Sequence, residues 1–88
     1  MSREVFLDVS DLPAPEPLEK SVAGLQALKP GQYLRIYHRM EPRLLYSFFE
    51  QEDFAYEIFR VELGVYVLAW HSDDVEGARA AHDWLKGK

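Results

Sequence analysis

The chain has 88 residues, a formal net charge of −5 and no cysteine. That length predicts one domain, and the missing thiol excludes disulfides, thiolate metal sites and a thiol nucleophile. An apolar share of 48 % with 14 % aromatic residues is that of a folded protein, while the acidic balance argues against nucleic acid as a partner.

Val5 to Val9 alternates and predicts a first strand. Pro15 then suits the first position of a helix, because proline fixes φ and lacks a donor that would go unused there. Leu18, Val22, Leu25 and Leu28 recur at helical spacing, with Glu16, Glu19, Lys20 and Gln26 on the other side. Lys29-Pro30-Gly31 ends that helix. Gln32 to His38 is a second strand, with Leu34, Ile36 and His38 on one face and Tyr33, Arg35 and Tyr37 on the other. Glu41-Pro42-Arg43 opens a second helix with Leu44, Leu45, Phe48 and Phe49 as its apolar stripe. Phe54 to Glu62 and Val65 to His71 form a hairpin joined at Leu63-Gly64. A third helix is expected over about 74–86, capped by Asp73 or Asp74, with Val75, Ala78, His82 and Leu85 turned towards protein.

The order β-α-β-α-β-β plus a terminal helix predicts an α+β fold. It is a two-layer α/β sandwich on a mixed sheet within a single domain, with a core over about 4–71. One sheet face, carrying Tyr33, Arg35 and Tyr37, starts open. The terminal helix covers it, either on its own sheet or on a second copy. A homodimer through that helix is the expectation, since a thin core gains most from it. Left uncovered, the tyrosines with Arg35, Tyr66 or Trp70 form a platform able to stack a flat ligand.

Residues 7–17 and the Pro30-Gly31 turn resemble the TusA/SirA-like sulfur-carrier family, through Leu7-Asp8, Leu12 and Pro15-Glu16-Pro17. In that family a cysteine precedes the Pro-x-Pro, and here Ala14 stands in its place. The resemblance therefore implies the fold and the loss of sulfur carriage, since no persulfide forms on alanine. The sequence is also similar to a cysteine-less, uncharacterised bacterial branch, the domain of unknown function family 2249. That branch carries a motif like His-x-His-x-Pro after the second strand, and His38-Arg39-Met40-Glu41-Pro42 has methionine at its second histidine.

Parallel first and second strands would gather Asp8, Asp11, Glu16, His38, Arg39 and Glu41 at one pole, where both helices begin. Crevices at strand ends and helix N-termini are the usual ligand position in α/β folds and favour anions. This pole is the expected ligand or partner surface, with Ala14 at the mouth of the first helix. No serine sits in a nucleophile elbow, no glycine-rich phosphate loop is present, and the three histidines are dispersed. No catalytic residue, metal ligand or cofactor is therefore assigned.

The function expected is a non-catalytic binding or protein-interaction module, working through a protein partner, a homodimer or a small anionic ligand. Alternatives are a metal- or small-ligand-dependent enzyme or carrier using Asp8, His38 and Glu41, and a docking accessory of a sulfur relay. No apolar run reaches the roughly 20 residues a membrane span needs, and the chain starts without a signal-peptide run. The expectation is a cytoplasmic protein that contacts no membrane.

Overall fold

Proline placement and hydrophobic alternation set most of the element boundaries. The computed structural model describes residues 2–88. It comprises β1 (Glu4–Asp8), α1 (Glu16–Gln26), β2 (Tyr33–His38), α2 (Arg43–Gln51), β3 (Phe54–Val61), β4 (Gly64–His71) and α3 (Val75–Lys86). The four strands form one mixed sheet in the order β1-β2-β4-β3. β1 runs parallel to β2 with Asp8 beside Tyr37, and β4 is antiparallel to both β2 and β3. The architecture is the α+β fold expected, ending in a C-terminal helix.

Pro15 is the cap residue of α1 rather than its first turn, and Pro17 enters that turn. α1 stops at Gln26, short of the expected Leu28, yet Leu28 remains 8 % exposed because the chain drops back onto the core. Gly31, at φ +84, then makes the turn into β2, a conformation that a side chain disfavours.

α1 and α2 cover the first face of the sheet. Leu25, Leu34, Ile36, Leu45, Phe49 and Val67 meet there and are essentially inaccessible to water. The stripe of α2 is narrower than the sequence suggests, since Leu44 is 74 % exposed.

α3 covers the second face of its own sheet. Of the two alternatives the helix takes its own sheet: Tyr33, Leu68 and Trp70 are buried within one chain. The contacting stripe is the expected one in part, since Ala78 and Leu85 pack against the sheet. Val75 and His82 are exposed, and Gly77, Ala80 and Ala81 are buried instead. Small side chains allow this close approach: a Cβ on Gly77 would lie 2.8 Å from the Gln32 carbonyl oxygen. Asp74 caps the helix, accepting from the Gly77 N–H at 3.0 Å. Its other oxygen accepts from the Gly31 N–H at 2.7 Å, which ties α3 to the turn before β2.

Under α3 lies a charged network. Arg35 donates to both carboxylate oxygens of Glu4 at 2.9 Å, and the Tyr33 hydroxyl donates to the same carboxylate at 2.7 Å. The guanidinium also sits over the rings of Phe6, Trp84 and Tyr66, at 4.3, 5.0 and 5.2 Å. The Arg35 hydrogen bonds hold the Glu4 carboxyl below its ordinary value, and burial with the Glu4 bond pushes the Tyr33 phenol far up.

Candidate functional site

Because β1 and β2 are parallel, their C-terminal ends lie together, and α1 and α2 both start from that end. Between the two helix starts the structure leaves a groove of about 470 Å³. Its walls are Ala14, Pro15, Pro17, Leu18, Met40, Pro42, Leu44 and Leu45, with His38, Glu41 and Arg43 as its polar members. Met40 and Leu44 stand on it 65 % and 74 % exposed. Neither helix start has a side-chain cap among the described residues. The prolines explain the shape: each fixes the entry of its helix, and their rings furnish apolar wall. The Ala14–Pro15 peptide bond is cis.

The pole residues separate into two groups. Ala14, His38 and Glu41 line the groove; Asp8, Asp11, Glu16 and Arg39 lie outside its lining. Asp8 ends β1 and turns back on its own loop, accepting from the Ser10 N–H at 3.0 Å and the Ser10 hydroxyl at 2.7 Å. These bonds hold its carboxyl below the ordinary value. Asp11 is exposed in the loop, and Glu16 is the exposed first residue of α1, where its charge favours the helix dipole. Arg39 is exposed just after β2.

His38 is half-buried at the end of β2. Burial, then the positive charge of Arg39, lowers its pKa below the ordinary 6.5, so the imidazole is neutral at pH 7. Glu41 forms an ion pair with Arg60 of β3. Arg60 lies nineteen positions along the chain from Glu41, and no local pattern announces that contact. On the first turn of α2, Tyr46 stacks on Tyr56 at 5.1 Å. Its hydroxyl is buried without a hydrogen-bond partner among the described residues. Burial, with the Glu41 charge nearby, raises its pKa.

The stacking platform that an uncovered second sheet face would offer is not available, because α3 covers that face. Tyr33 and Trp70 are 4 % and 5 % exposed beneath α3, and Arg35 is engaged by Glu4. Among the described residues no three His, Cys, Asp or Glu side chains are grouped to hold a metal ion. No helix there is long and apolar enough to cross a membrane.

A family model described as Uncharacterized conserved protein (DUF2249) matches residues 6–71. The chain belongs to this family. The match runs from β1 to the end of β4 and takes in both walls of the groove, Ala14 and the His38–Pro42 segment, but not α3. No curated protein and no solved structure matches the chain.

Proposed function

We propose that the protein is a small non-catalytic binding module that works through the groove between the starts of α1 and α2. One observation carries this reading: an apolar recess of about 470 Å³ with two large, exposed apolar side chains, Met40 and Leu44, on its rim. Recesses of that size, apolar with a few polar groups, are where small ligands and partner side chains bury, and methionine adapts to varied apolar shapes. Reaction chemistry has less support. Glu41 is committed to Arg60, Asp8 is turned onto Ser10, and His38 has neither beside it as a hydrogen-bond partner.

The docking accessory of a sulfur relay is a second reading, favoured by Ala14 at the mouth of the groove, where the sulfur-carrier resemblance would put a cysteine. In that reading the groove keeps the contact surface while the methyl group removes the cargo site.

Titration of ¹⁵N-labelled protein with hexanoate and with indole tests the groove. Amide shifts should concentrate at Ala14, Leu18, His38, Met40 and Leu44. They should vanish in the double variant Met40→Asp, Leu44→Asp, whose sites are exposed enough to leave the fold intact. Shifts scattered over the surface, or unchanged in the variant, would refute the groove as the binding site.

A further inference from the structure

The two edges of the sheet differ in a way that the groove does not explain. β1 is five residues long and carries an acid at each end, Glu4 and Asp8. β3 is eight residues, FAYEIFRV, with an uninterrupted register against β4 and no proline or lysine. Its outer edge has no strand beside it among the described residues. Sheet edges are normally blunted by short length, charge, proline or bulges, because their free N–H and C=O groups are a template for another strand. β1 is both short and charged at each end, whereas β3 is long and unbulged and carries only the exposed charges of Glu57 and Arg60.

Self-pairing about a two-fold axis is restricted by geometry. Side chains directly opposite in an antiparallel pair share a sheet face, and a two-fold axis normal to the sheet keeps each face on its own side. An odd-numbered residue therefore meets an odd-numbered one, and an even-numbered residue an even-numbered one. For β1 the register using the whole strand centres on Phe6 and sets Glu4 against the partner's Asp8 twice, which is repulsive. For β3 two central registers exist. One sets Glu57 against itself. The other centres on Ile58, pairs Glu57 with Phe59 and Tyr56 with Arg60, and opposes no like charges.

We infer that two copies of the chain associate through β3, antiparallel and centred on Ile58, to form a continuous eight-stranded sheet. Both pairs of α1 and α2 then lie on one face of that sheet and both α3 helices on the other. The occupant of the edge is a second copy because that register is self-complementary, with the Arg60 guanidinium meeting the Tyr56 ring of the other copy on the same face as Tyr46. Arg60 is also the ion-pair partner of Glu41, so the interface borders a residue that lines each groove.

Sedimentation velocity of the full chain over a concentration series reaching millimolar is the first test, and a species of twice 10.2 kDa is expected. Two variants then read the register. Phe59→Glu sets a carboxylate against Glu57 of the other copy, and Phe59→Lys sets an ammonium there. Both lose the same edge contact with Trp84. The dissociation constant of the Glu variant should exceed that of the Lys variant by about tenfold or more, and adding Glu57→Lys to Phe59→Glu should restore the dimer. A third measurement needs no variant: amide exchange over residues 54–61 should slow as wild-type concentration rises, while that of β1 stays constant. A chain that stays monomeric throughout overturns the inference. So does a dimer that responds equally to both Phe59 variants, or one whose β3 amides ignore concentration.

Discussion

The two faces of the sheet are held by different physics. Under α1 and α2 the contact is made by volume: Leu25, Leu34, Ile36, Leu45 and Phe49 interdigitate with essentially no exposure. Under α3 the helix offers Gly77, Ala80 and Ala81, and the bulk comes from the sheet, as Tyr33, Leu68 and Trp70 with the Glu4–Arg35 pair between aromatic rings. The first face resembles an ordinary core and tolerates no lost atoms. The second depends on closeness and on charge, so it is sensitive to added atoms and to pH. The groove belongs to the first face, where two proline-fixed helix starts diverge before the packing begins.

Removing bulk from the first face should have the largest effect. Phe49→Ala is expected to cost about 3–5 kcal/mol in a denaturant titration, with a fall in Tm on the order of 15 °C or more for a domain of this size. A loss below about 1 kcal/mol would mean that this face is not packed by volume.

On the second face the informative change adds atoms. Gly77→Ala places a methyl group 2.8 Å from the Gln32 carbonyl oxygen and 2.9 Å from Asp74. It should destabilise by about 1–2 kcal/mol even after the gain in helix propensity. Stabilisation instead would show that α3 does not sit this close.

The charged network sharpens the contrast through pH. Because Arg35 lowers the folded-state pKa of Glu4 below 4.5, its contribution is present above that value and is lost as pH falls through the lower, folded one. Glu4→Gln should cost about 1 kcal/mol near neutrality, and the gap to wild type should close in acid. Melting curves from neutral to strongly acidic pH decide this, and a gap independent of pH would remove the ion pair from the account.

The smallest effect sits at the groove. The folded-state pKa of His38 lies below 6.5, so its stability contribution is present above 6.5 and fades as pH falls through the folded value. An NMR titration of the ring should give a midpoint below 6.5, and Arg39→Gln should move it up by less than burial holds it down. A midpoint above 6.5 would place the ring in water or beside an acid.

Alternation alone makes β2 legible in the sequence, because Leu34 and Ile36 oppose Tyr33, Arg35 and Tyr37 with period two. The prolines at 15 and 42 likewise marked both helix starts to within a residue. α3 was legible as a helix, with Ala78 and Leu85 correctly placed on its contact side but Val75 and His82 not. Periodicity rewards large apolar residues such as Val75, whereas a helix lying this close to a sheet touches it through glycine and alanine. The pole followed from one parallel strand pair. The groove did not, since its shape depends on the angle between two helices, and Arg60 reaches Glu41 only once β3 has been set beside β4.

One hydrogen bond gives this molecule a built-in clock. The Gly31 N–H donates to the Asp74 carboxylate, forty-three residues away, so its solvent exchange must await the release of α3 from the sheet. Amides inside β2 and β4 report global opening, and loop amides report none. The exchange rate of this single proton, read against theirs, therefore measures how often the helix lets go while the rest of the domain stays folded.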